Sequence, residues 1–169
     1  MLGGFPGGII IHSFTLPQES WITLLSIAHR YEFQDAREHA IIEIYGPFLA
    51  RWDSMEMSIM GKKEQEIQQE LQQYNYQLLI SVAEKYDVPP CHIAPLLLPF
   101  VVRQQPLTEG EVLGFSALTA SRLAHAREVY LREQRAKFGV PDAKDIVYRI
   151  WEIQDDDLCH SRRDFGLNS

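Results

Sequence analysis

Cysteine is nearly absent from this chain of 169 residues, which contains only Cys91 and Cys159. A small fold stapled by disulfides is thereby excluded, and so sparse a content fits a reducing, intracellular setting. Long apolar runs are missing too. The richest, Ile93 to Val102, falls well short of the roughly 20 residues needed to span a bilayer and is interrupted by Pro95 and Pro99. Met1 to Ile11 is apolar and glycine-rich, without the basic stretch that opens a signal peptide. Lysine and arginine number 16 against 23 acidic residues, for a formal charge of −7. They form no block, so the electrostatic stripe of a nucleic-acid binder is not evident. Catalytic signatures are lacking as well: there is no G-x-S-x-G, no glycine loop followed by Gly-Lys-Ser/Thr, and no H-E-x-x-H. His29, His39 and His125 fall on expected helices, where a solvated or structurally bonded imidazole is the usual state. The expectation is a protein that is not an enzyme and uses no cofactor.

What is present describes a folded core. Hydrophobic residues make up 46% of the chain and charged ones 23%, and a chain this long can bury about 70% of its unfolded surface. Residues 1–16, with Gly3, Gly4, Pro6, Gly7 and Gly8 ahead of Ile9 to Ile11, read as an extended or looped segment, like the exit of a preceding fold. Residues 17–154 carry helical periodicity, and residues 155–169 form a polar tail. No strand alternation and no fixed-period repeat occurs. The fold class expected is all-α, an irregular multi-helix bundle built on αα-hairpins.

Pro17 suits a first helical turn, with Thr15 as a cap. Trp21, Leu24, Leu25 and Ala28 then mark one helical face, and Tyr31 and Phe33 a corner. A second helix has Ala36, Ala40, Ile41 and Ile44 inward and is expected to stop at Gly46-Pro47. Glu64 to Tyr86 reads as one long helix with the stripe Ile67, Leu71, Tyr74, Leu78, Val82 and Tyr86. Asp87 to Pro90 is a sharp stop, and Pro95 and Pro99 divide the next apolar segment into one or two short buried helices. Thr108 and Glu111 form a capping-box pattern for a short helix ending near Gly114. Ser116 caps a longer helix, in which Leu118, Leu123, Tyr130 and Leu131 are apolar. Asp142 caps a last one, with Ile146, Val147, Ile150 and Trp151 on one face.

Three constellations merit a functional reading beside a structural one. Phe48, Trp52, Met55 and Ile59, together with Met57 and Met60, are the candidate partner-binding stripe, because methionine adapts to varied partners and tryptophan anchors interfaces. The same spacing equally describes a stripe covering the core, the commoner fate of such patterns. The dipeptides Cys91-His92 and Cys159-His160 hold ligands for a tetrahedral zinc site if the tail folds back, against the alternative of a buried Cys91 and an unengaged Cys159. A basic cluster of Arg127, Arg132, Arg135 and Lys137 is the corresponding nucleic-acid alternative. Asp155, Asp156 and Asp157 lack the glycine turn and spaced glutamate of a calcium loop and read as a solvated acidic tail.

Two blocks carry a resemblance. The first is Trp21-Ile22-Thr23-Leu24-Leu25-Ser26-Ile27-Ala28, followed by Ala36-Arg37-Glu38. The second starts at Lys85-Tyr86-Asp87-Val88-Pro89, resumes at Pro106-Leu107-Thr108 with Glu111, Leu113 and Gly114, and ends at Ala126-Arg127-Glu128. In this order, over roughly residues 14–133, the chain resembles the helical region that follows the BTB fold in basidiomycete BTB/POZ-domain proteins. It lacks the BTB fold itself, has Cys91 where those proteins carry an aromatic, and inserts residues from about Pro47 to Gln72. The resemblance implies an intracellular protein–protein interaction or scaffold module. Its partners would be proteins, with a cullin-type ubiquitin ligase among them only for a longer form that contains the BTB fold.

Overall fold

The computed structural model describes residues 16–52, 54, 59, 62–136 and 139–154. Among them lie eight helices: α1 Gln18–Arg30, α2 Gln34–Ala50, α3 Glu64–Gln73, α4 Tyr76–Lys85, α5 Pro90–Val102, α6 Glu109–Gly114, α7 Ala117–Arg135 and α8 Ala143–Trp151. No strand occurs among the described residues, so the all-α expectation holds. The two expected flanking segments fall outside the described residues, apart from Leu16.

Helix α5 is the centre. Its residues from Ile93 to Val101 are all buried, and α2, α4, α7 and α8 pack around it. A helix apolar on every side must be enclosed in this way. Pro95 and Pro99 do not divide it. Each removes one N–H from the helix ladder, opposite the carbonyls of Cys91 and Pro95, so both missing bonds lie one turn apart on one face. Proline costs about 3 kcal/mol in a helix interior, but enclosure of nearly every side chain by four helices outweighs that preference for a break.

Helix α1 packs along α2 as the expected αα-hairpin, with Leu25 and Ala28 buried on α1 and Ala40, Ile41 and Ile44 on α2. Pro17 stands one position before the helix as its N-cap residue, its carbonyl accepting from the Ser20 N–H at 2.9 Å. Helix α2 does not stop at Gly46-Pro47 but runs through to Ala50. The carbonyl that Pro47 leaves without a donor belongs to Glu43, on the exposed face, where water can serve it. Burial of Phe48 draws the helix onward.

The expected long helix is two. It breaks at Asn75, which adopts the left-handed conformation (φ 49°, ψ 46°), a state that asparagine tolerates better than most residues. The break rotates the following helix, so Tyr76, Leu79 and Ile80 are buried. Tyr74 and Leu78, expected inside, are exposed. The Tyr45 hydroxyl donates to the Leu79 carbonyl at 2.8 Å in the interior, and burial pushes its pKa upward.

Three helices end alike. The N–H of Phe33, Val88 and Ile153 reaches the carbonyl five residues back, in Ala28, Ala83 and Tyr148, each at 2.9 Å. The residue before each donor has positive φ: Glu32 at 56°, Asp87 at 52° and Glu152 at 56°. This is the Schellman termination with an acidic residue where glycine is usual.

Candidate partner-binding surfaces

Three residues of the expected partner stripe lie inside. Phe48, Trp52 and Ile59 are 4%, 3% and 2% exposed, so they belong to the core. Met55, Met57 and Met60 lie outside the described residues. The Phe48 ring meets Tyr76 edge-on at 5.4 Å. Trp52 donates its indole N–H to the Tyr148 hydroxyl at 2.5 Å, and the Lys144 ammonium sits 4.7 Å from its ring centroid. The stripe is therefore structural at these three positions.

The basic cluster is broken up too. Arg127 is buried, and its guanidinium donates to four carbonyls, those of Phe100, Arg103, Gln104 and Gln105. From the other side, the Glu64 carboxylate accepts the N–H groups of Gln104 and Gln105 at 3.1 and 3.3 Å. Arg103, 1% exposed, donates to the Glu111 carboxylate at 2.8 Å and to the Pro106 carbonyl at 3.2 Å. The turn from α5 to α6 is thus bonded on both edges by side chains from α3 and α7. Burial and the neighbouring Arg103 charge lower the Arg127 pKa, with Glu64 and Glu111 opposing. Arg127 is not available to a phosphate. Arg132 and Arg135 are exposed, and Lys137 lies outside the described residues.

Cys91 is buried, its Sγ 3.3 Å from the His92 Nδ1. Cys159 and His160 lie outside the described residues. Among the described residues no group of three or more His, Cys, Asp or Glu side chains is placed to hold a metal.

A cavity of about 660 Å³ is lined by Ile67, Val102 and Tyr130 together with Glu64 and Gln104. Its acid is held by the turn, as described above, and the neighbouring Lys62 is paired with Glu70. No acid–base couple converges there among the described residues.

Exposed apolar side chains gather instead at the corner between α6 and α7. Val112, Leu113 and Leu118 are 43%, 77% and 60% exposed, and Phe115 between them points inward to meet Phe100 at 5.4 Å. The corner is firmly fixed. Thr108 and Glu111 cap α6 reciprocally, at 2.8 and 3.2 Å. Ser116 caps α7 by accepting from the Thr119 N–H at 3.1 Å, and donates its own proton to Glu84 at 2.6 Å. The Gln77 amide donates to the carbonyls of Gly110 and Glu111 at 3.1 and 3.2 Å. It lies so close that a Cβ on Gly114 would fall 1.8 Å from it. A second, smaller display is the α1–α2 corner, where exposed Tyr31 and Phe33 stack at 6.1 Å.

A groove of about 330 Å³ opens between α1, α2 and the end of α3. Trp21, Pro47, Phe48 and Tyr74 line it together with Glu43 and Arg51. These surfaces were not legible from periodicity, because an outward leucine leaves the same trace as an inward one. No described helix is long and apolar enough to cross a membrane. Comparison with family models, curated proteins and solved structures gives no match to this chain.

Proposed function

We propose that this chain is a non-enzymatic protein–protein interaction module that works through its rigid corners. The observation that carries the reading is the α6–α7 corner. Side chains from α4 and the caps of both flanking helices hydrogen-bond this corner in place, yet three of its large apolar residues, Val112, Leu113 and Leu118, face solvent. Interfaces are built where anchors are held in position before the partner arrives, since little entropy is then lost on binding. Scattered exposed leucines are ordinary on any surface; grouping on a braced corner is what favours recognition.

The resemblance to the helical region after the BTB fold supports the finer form of this proposal, a scaffold within an intracellular adaptor. In that form a cullin-type ligase would be a partner of a longer protein only, one that contains the BTB fold.

The test is affinity purification with the full chain and with a Leu113→Glu/Leu118→Glu double variant. The expected result is a protein retained by the wild type and lost by the variant, with unchanged circular dichroism and Tm. Recovery independent of both leucines would overturn the assignment of this corner. Turnover of a substrate by the purified chain would overturn the non-enzymatic reading.

A further inference from the structure

Helix α6 is bonded in place but not packed in place. None of its six residues is buried, whereas every other described helix buries at least two. Polar side chains hold it instead. The Gln77 amide donates to the Gly110 and Glu111 carbonyls, the Ser81 hydroxyl to the Gly114 carbonyl at 2.9 Å, and Arg103 to the Glu111 carboxylate at 2.8 Å. Water replaces such bonds when they break, so each bond between neutral groups shifts an equilibrium by only about 2- to 12-fold. The reciprocal cap of Thr108 and Glu111 is internal to the segment and moves with it.

Both ends of the segment are anchored by different means. Ahead of it, Arg127 holds the turn from Arg103 to Gln105, and Leu107 packs against the core. After it, Phe115 is buried against Phe100. Between the segment, α3 and α4 lies a cavity of about 620 Å³, lined by Gln68, Leu71, Gln72, Leu78 and Phe100 as well as by the segment itself. No packed side chain has to be withdrawn for residues 108–114 to move. A stretch without buried apolar contacts stands at the low end of local stability.

We infer that residues 108–114 form a strap that opens as a unit while the rest of the fold stays closed, and that its closing sets Val112 and Leu113 beside Leu118. Leu118 stays on α7, so an open strap separates two of the three corner anchors from the third. The complete binding surface exists only in the closed state, and apparent affinity for a partner scales with the closed fraction. This regulation rests on the protein-binding function proposed above; the opening itself does not.

The test is hydrogen exchange of the full chain, read residue by residue by NMR over a series of low urea concentrations. The amides of Val112 and Phe115 are bonded to the Thr108 and Glu111 carbonyls. Corrected for intrinsic rates, they should exchange at least about a hundredfold faster than those of the fully buried Leu97 and Leu98 in α5. Their rates should also respond little to urea, because a local opening exposes little surface. Gln77→Glu replaces the donor by a carboxylate facing two carbonyls. It should speed Val112 and Phe115 together by about tenfold. Gln77→Glu/Glu111→Gln, which removes both latches, should lose about half or more of any protein that the wild type retains in affinity purification.

Exchange of Val112 and Phe115 that matches Leu97 and Leu98 in rate and urea dependence would overturn the strap, since α6 would then open only with the whole fold. Unequal responses of the two amides to Gln77→Glu would overturn its opening as a unit. Full partner retention by the double variant, with exchange at α6 raised, would overturn the regulation. A wild type that retains no protein would count against the general function, while the exchange of Val112 and Phe115 still decides the strap. If the double variant fails to fold, partner retention by Gln77→Glu alone, with α6 exchange raised, decides the regulation in the same way.

Discussion

Trp52 donates its indole N–H to the hydroxyl of Tyr148 at 2.5 Å, joining the chain just after α2 to α8 across 96 residues. The two rings lie 5.8 Å apart. A tryptophan so enclosed supports the fold, and removing it should unfold before it unbinds. Trp52→Ala is expected to cost about 3–5 kcal/mol, the range for deleting a buried aromatic. Tyr148→Phe, which deletes the acceptor and keeps the ring, should cost about 1–3 kcal/mol. Urea midpoints for both variants check this. A Trp52→Ala protein with wild-type stability would return Trp52 to the list of interface anchors.

Arg127 ties together a turn by donating to four of its carbonyls. Arg127→Met fills similar space but leaves the carbonyls of Phe100, Arg103, Gln104 and Gln105 without their partner. Phe100 and Arg103 are buried, whereas Gln104 and Gln105 are exposed to water, and each orphaned buried carbonyl costs about 1–3 kcal/mol, so a loss of about 2 kcal/mol or more is expected. Arg127→Lys should recover only a minor part, because a single ammonium cannot reproduce the planar fork that meets several carbonyls at once. Thermal denaturation of the pair separates the two cases. Equal stability of the Lys variant and wild type would show that charge alone holds the turn.

Glu111 supplies the pH dependence. Burial would raise its pKa, but the hydrogen bonds from Arg103 and from the Thr108 backbone, with the Arg103 charge, outweigh burial and hold it below the usual carboxylate range. A carboxyl with a depressed folded pKa contributes stability above its unfolded pKa of about 4.3, and that contribution is lost as pH falls through the folded value. Glu111→Gln should therefore be less stable than wild type at neutral pH, and the difference should shrink as pH drops below about 4. Denaturant midpoints from pH 7 to pH 3 measure it. A constant difference would assign the effect to packing.

The caps at Thr108, Ser116 and Asp142 were readable in the sequence because their chemistry is local. A side-chain oxygen meets an N–H three residues on, and each does so in the structure. The break at Asn75 was not readable. Tyr74, Tyr76, Leu78, Leu79 and Ile80 offer two overlapping helical stripes, and packing against Tyr45 and Phe48 decides which one faces in. Pro47, Pro95 and Pro99 signalled stops that long-range burial overrode. The roles of Arg103 and Arg127 left no local trace, since most of their partners are carbonyls on another element. Leu118 was read with Leu123 as one apolar face, but it stands in the first turn of α7, beyond the reach of the core.

The three Schellman ends give the last expectation. Glu32 and Glu152 are exposed and hold φ of 56°, a region where a side chain with a Cβ is disfavoured by about 1–2 kcal/mol. Glycine has no such penalty, although it gains more freedom in the unfolded chain, which offsets part of the benefit. Glu32→Gly and Glu152→Gly are each expected to stabilise by about 0.5–1 kcal/mol, and to add in the double variant because the sites terminate different helices, α1 and α8. Glycine at an ordinary helical position, such as Ser121 in α7, should do the opposite, by about 0.5–1 kcal/mol. Melting temperatures of the four variants against wild type decide the matter. Destabilisation at Glu32 and Glu152 as well would mean that their carboxylates contribute more than the backbone conformation costs.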